Sequence, residues 1–198
     1  MFHLTSAHLR GVATGEANAN VGPRRTMSSI LILILLASLS ADPLGKEDCS
    51  LEAIGLSLED DIAHRLFYTG TCHYRNQDYE KSAAAWEQLA NMEDVSPESQ
   101  SLRVDVLNNL GYLKFFGYGI REDKEQALDY WKMAISLGHY ESEYHLCHAY
   151  ADSDQPTFNR GKAEKHCEKA YLIYNGMEER TESEVEILRQ IREYRAQM

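Results

Sequence analysis

The sequence predicts an all-α protein: about three helix–turn–helix repeats stacked as a right-handed α–α superhelix, or solenoid, closed by a C-terminal capping helix. Three observations carry this prediction. Only four of the 198 residues are proline, while Ala, Leu and Glu, which favour helix, are plentiful. The chain resembles itself at an offset of 36 residues, which pairs Leu110 with Leu146, Ala127 with Ala163 and Ala134 with Ala170. A period of that length marks stacked repeats. Within one period Val106, Leu107, Leu110 and Leu113 recur at the spacing of one helix face.

The first 40 residues read as an extension and an export signal. Residues 30–36 are an unbroken run of Ile and Leu, preceded by Arg24 and Arg25 and followed by the small residues Ser38 and Ser40. A membrane span takes roughly 20 apolar residues, so this run suits the apolar core of a cleaved signal at about 24–40, with cleavage before Ala41. A retained anchor and a buried core segment are the alternatives, and Met27 is a second possible start. Residues 41–61 form a lead-in to the repeats. No membrane insertion is expected after cleavage. The expected location is exported, periplasmic or secreted.

In order, the repeats are expected at 62–98, 99–138 and 139–175, with the capping helix at 181–198. In the middle unit helix A runs about Val104 to Phe116. Gly117 and Gly119 permit the positive φ of a sharp turn. Asp123 is a good N-cap, with Gln126 placed as in a capping box, and Gly138 ends helix B. The third unit keeps Leu146, Tyr150, Ala163 and Ala170 but has Ser153 and Gln155 where the loop glycines stood. The first unit places Gly70, Tyr79, Ser82, Trp86 and Leu89 at small and large core positions. The last helix carries Val185, Leu188, Ile191 and Tyr194 on one side and Glu184, Arg189, Arg192 and Glu193 on the other, as a solenoid cap should.

Leu110-Gly111, Gly117-x-Gly119-Ile120, Asp123, Ala127, Tyr130-Trp131, Ala134 and Gly138 together resemble a nearly complete Sel-one-like repeat. Lys114 and Met133 depart from it. The unit at 62–98 looks like the related tetratricopeptide repeat. The resemblance implies a protein-binding module, and in bacteria a periplasmic assembly or regulatory factor.

All four cysteines follow the signal, and an even number in an exported chain reads as two disulfides. Four cysteines allow three pairings. In the repeat frame Gly111 faces the bulky Trp131, and the third unit has Cys147 and Cys167 at these two places. Paired replacement at facing sites favours Cys147–Cys167, which leaves Cys49–Cys72. The competing reading is a zinc site from His145, Cys147, His148, His166 and Cys167. His166 and Cys167 are chain neighbours and diverge by roughly 100° on a helix, which disfavours it. No metal or other cofactor is therefore assigned.

A net charge of −11 disfavours nucleic acid and anionic lipid as partners and allows a basic protein or peptide. Nucleophile elbows and phosphate loops are absent from the sequence, so no catalytic residue is assigned and the chain is not expected to be an enzyme. Projecting the A helices onto the inner, concave face of the stack selects Phe67, Tyr74, Asn108, Tyr112, Phe115, Tyr144 and His148 as a partner-binding face. Packing of these aromatics against neighbouring repeats, or cover by the N-terminal segment 44–58, is the alternative. The expected function is an exported adaptor or assembly factor. A structural subunit of an envelope complex, or a hydrolase of cell-wall or β-lactam substrates, would be the alternative. Oligomeric state is left open.

Overall fold

The computed structural model describes residues 45–198, and the expected signal at 24–40 lies outside the described residues. Lys46–Met198 forms one compact unit. Among the described residues it contains seven helices and no strand: α1 (Ile62–Arg75), α2 (Tyr79–Ala90), α3 (Gln100–Phe116), α4 (Lys124–Ser136), α5 (Glu141–Ala151), α6 (Arg160–Gly176) and α7 (Glu182–Gln197). Helices α1–α2, α3–α4 and α5–α6 pair as hairpins, and each hairpin packs on the next through α2 against α3 and α4 against α5. The result is a helical repeat solenoid. Helix α7 rests on α6 and also reaches α5.

The first two hairpins close by the same device. Trp86 and Trp131 are each 1% exposed. Each indole lies against a glycine of the facing helix, Gly70 or Gly111, so closely that a Cβ there would collide with the ring. Each Nε1 donates to a carbonyl one turn before that glycine, Trp86 to Phe67 at 3.3 Å and Trp131 to Asn108 at 3.1 Å. Burying an indole is worth most when its N–H is satisfied, and the missing Cβ makes both possible.

The third hairpin uses a disulfide at this place, joining Cys147 to Cys167 with a Cα separation of 4.5 Å. The second bridge, Cys49–Cys72, ties the lead-in segment to α1 with a Cα separation of 5.7 Å. Both lie inside the usual range for a bridged pair, roughly 4.4–6.8 Å.

The turns show how the third unit dispenses with glycine. In the second hairpin Gly117 caps α3 at φ 68° and the Tyr118 N–H returns to the Leu113 carbonyl. Asp123 accepts from the Gln126 N–H at 2.9 Å, while its own N–H goes to the Lys114 carbonyl rather than to a reciprocal Gln126 bond. In the third, the Asp152 carboxylate accepts from the Asp154 N–H and the Gln155 amide, and Thr157 Oγ1 donates to the Ala149 carbonyl. Side chains thus hold the turn without positive φ.

Helix α7 begins with a complete capping box of Thr181 and Glu184. Its buried face is Ile187, Leu188 and Ile191. Val185, expected on that face, is 55% exposed. The helix is rotated so that Ile187 takes its place.

Candidate functional site

Helix α5 explains why much of the expected partner face is interior. It touches α3, α4, α6 and α7, and nine of its eleven residues are buried. Tyr144 is 6% exposed and its hydroxyl donates to Gln190 Oε1 of α7 at 2.5 Å. His148 is half-buried, with Nδ1 2.5 Å from the Tyr194 hydroxyl of α7. The capping helix therefore occupies the part of the face that α5 was expected to offer.

The other expected members divide in two. Phe67, Asn108 and Phe115 are buried. Phe67 belongs to the core between the first two hairpins. Asn108 Oδ1 accepts from Ser142 Oγ at 2.8 Å, which joins α3 to α5. Phe115 packs on Trp131, and Lys124 Nζ stands 4.8 Å above its ring. With Tyr144, these four lie in the interior, covered by neighbouring hairpins or α7, and offer little surface. Tyr74, Tyr112 and His148 remain partly open.

Around these three the structure assembles a ribbon of rings that spacing within one repeat does not reveal. Tyr74 packs on Tyr79 at 5.3 Å, and Tyr79 on Tyr118 at 5.6 Å. Tyr118 stacks on Phe116 at 5.7 Å and lies 5.8 Å from Tyr112. Tyr112 and Phe116 are 4.7 Å apart, and Phe116 reaches His148 at 6.3 Å. The ribbon crosses all three hairpins. Phe116 and Tyr118 are its most open members, at 36% and 42% exposure. Burial, with smaller contributions from Tyr112, Tyr79 and Tyr118, pushes the Tyr74 phenol far above its ordinary value, so it is neutral.

Gly119 makes the ribbon possible. Its φ is 65°, and a Cβ there would collide with Tyr79 and the Glu80 backbone. The turn of the second hairpin can thus lie directly on the start of α2, which brings Tyr118 beside Tyr79. Sequence reading placed Tyr79 in the core and gave Tyr118 no role. The glycine flanking Tyr118 was the available signal.

Two polar groupings test for chemistry. Ser142 Oγ lies 3.1 Å from His139 Nδ1, and His139 Nε2 lies 3.7 Å from Asp105. Ser142 is fully buried and its proton goes to Asn108, so this row locks α5 onto α3 and offers no accessible nucleophile. On the other side of α5, buried Glu143 accepts from His166 Nδ1 at 2.7 Å and Lys169 Nζ at 2.8 Å. Burial raises its carboxyl, but these bonds outweigh burial and hold it below the ordinary value. Both partners lie on α6, so the group ties α5 to α6. His145 stacks on Trp131 at 5.0 Å, and burial, helped by His139 and His148, pushes it down to about 3. The zinc alternative loses its two sulfur ligands to the Cys147–Cys167 bridge. Among the described residues, no three His, Cys, Asp or Glu side chains are grouped to hold a metal ion, and no helix is long and apolar enough to cross a membrane.

No curated protein and no solved structure matches the chain. Residues 104–139, which run from within α3 through its turn and α4, match the family model of the Sel1 repeat, the Sel-one-like unit that the sequence resembles. Repeats of this kind generally mediate protein–protein interaction, so the chain contains a helical repeat of an interaction family.

Proposed function

We propose that this protein is an exported adaptor that captures a basic protein segment on the aromatic ribbon formed by Tyr79, Tyr112, Phe116, Tyr118 and His148. The single observation that carries the reading is the ribbon itself. Its rings are partly open and contiguous across three hairpins. Aromatic side chains bury large areas at small entropic cost, which suits them to interfaces. Their ring faces attract guanidinium and ammonium groups, and the net charge of −11 adds long-range attraction for a basic partner. The Sel1 repeat supports the interaction class, and its α3 supplies Tyr112 and Phe116 directly. Two disulfides suit an oxidising compartment and so support export.

The test is affinity capture with crosslinking from the source cell envelope and secreted fraction, followed by mass spectrometry. The wild-type chain should capture a protein through a basic segment. The variant Tyr112→Ala/Phe116→Ala/Tyr118→Ala should lose that protein while keeping its helical circular dichroism. Leu172→Ala, at a side chain 63% exposed on α6, should retain it. Equal capture by all three proteins would remove the ribbon from the account.

A further inference from the structure

The lead-in segment builds a second concavity. Residues 46–61 do not lie flat on α1. They are fastened at one end by the Cys49–Cys72 bridge, by Arg75, which donates twice to Glu47 at 3.2 and 2.7 Å, and by Asn76, which exchanges two bonds with the Glu47 backbone at 2.9 and 2.7 Å. They are fastened at the other end by Asp61, whose carboxylate caps α1 at the Ala63 N–H. Between these anchors the chain turns at 50–56 on its own backbone bonds, with Gly55 at φ 77°, and stands away as an arch. Beneath it lies a half-open cavity of about 500 Å³, walled by Tyr68, Thr71 and Arg75 of α1 and by Glu47, Asp48, Ala53 and Ile54 of the arch. The three α1 residues stand at i, i+3 and i+7, one face of the helix.

The chemistry of the walls is specific. Arg75 spends its charge on Glu47. Asp48 has no ion pair with any described residue, and one of its oxygens accepts the Ser50 N–H at 2.9 Å. The site therefore holds one carboxylate without a counter-charge. The Tyr68 ring, 44% exposed, and Ile54 supply apolar wall. The volume falls within the range of small-ligand sites, roughly 300–1,000 Å³, and exceeds what a single ion or water needs. A long apolar stem ending in a cation satisfies all three features, because such side chains lay the stem on apolar surface and keep the charge on a polar partner.

We propose that the arch over α1 is a receptor for one arginine or lysine side chain of a protein partner, with its stem against Tyr68 and Ile54 and its cation at Asp48. This site is independent of the aromatic ribbon, and its chemistry would add a fixed point of register to a basic segment bound by this chain.

The probe is the peptide acetyl-Gly-Arg-Gly-amide, titrated into the full chain and followed by amide NMR shifts. A second peptide with citrulline for arginine keeps the shape and removes the charge. The expected result is saturable shifts at Ala53, Ile54, Tyr68 and Thr71, with the citrulline peptide about threefold to fivefold weaker, as loss of an exposed charge pair requires. Asp48→Asn keeps an oxygen for the Ser50 N–H and removes the charge, so it should also weaken the arginine peptide about threefold to fivefold. Tyr118→Ala should leave binding unchanged, which separates this site from the ribbon. Equal binding of both peptides, shifts centred elsewhere, no saturable shift, or an Asp48→Asn chain that binds as wild type would each overturn the proposal.

Discussion

The second and third hairpins solve one packing problem with different chemistry. In α3–α4 a glycine lets an indole press on the facing helix and hydrogen-bond to its backbone. In α5–α6 both residues are cysteine, and a covalent bridge crosses the gap. The glycine–tryptophan contact contributes in the folded state, through buried area and a satisfied N–H. The bridge contributes mainly by restricting the unfolded chain. Helix α5 therefore meets its own hairpin partner through the bridge, and meets an indole only across the hairpin boundary, where His145 stacks on Trp131 of α4. Within α5, Glu141, Ser142, Glu143 and His145 are all buried; Ser142 bonds α3 and Glu143 bonds α6.

The comparison breaks most sharply at Trp131. Trp131→Ala removes a fully buried indole and the hydrogen bond it adds at the Asn108 carbonyl. A loss of about 3–5 kcal/mol is expected, read as a fall in the urea midpoint with little change in slope. Trp86→Ala should behave alike, because its glycine and carbonyl contacts are the same. A small loss at either site would mean that the indole is not what closes these hairpins.

Breaking the third hairpin should cost somewhat less. Cys147→Ala/Cys167→Ala opens a loop of 20 residues, for which about 3 kcal/mol is expected. Its signature should also differ: the unfolding slope should rise, since the unfolded chain loses a crosslink and exposes more surface. Equal slopes in the bridged and unbridged proteins would contradict the unfolded-state account of this bridge.

These same residues explain how far the sequence could be read. Gly70 with Trp86 and Gly111 with Trp131 are each fixed by contacts inside one hairpin. The helices and the Cys147–Cys167 bridge were therefore legible, and Cys49–Cys72 followed only as the remaining pair. The face was not, since it depends on contacts between hairpins. Nothing within a 36-residue frame says that α7 will lie across α5 and take Tyr144 inside. Nor does it say that Gly119 will set Tyr118 beside Tyr79. The misplaced Val185 has the same origin, because the rotation of a terminal helix is chosen by the surface it covers.

The smallest expected effect tests whether the buried ionisable groups of α5 distinguish it as the comparison says. Glu141, at the start of α5, is pushed up to about 7 by burial first, then by Asp105 of α3 and Glu184 of α7. The native state therefore binds this proton more tightly than the unfolded chain, whose carboxyl titrates near 4.5. The resulting stabilisation is complete below 4.5 and is lost as pH rises through 7. His145 works the other way. It is held down to about 3 against an ordinary 6.5, so its contribution is complete above 6.5 and is lost as pH falls toward 3. Between 4.5 and 6.5 the two slopes oppose each other. Glu141→Gln removes only one of them. On acidification through this window, the variant should lose stability relative to wild type by up to about 1.4 kcal/mol per pH unit. Parallel stability curves for the two proteins from pH 6.5 to 4.5 would show that Glu141 titrates in the folded protein as it does in the unfolded chain, and that the junction of α3, α5 and α7 is wetter than the packing of α5 implies.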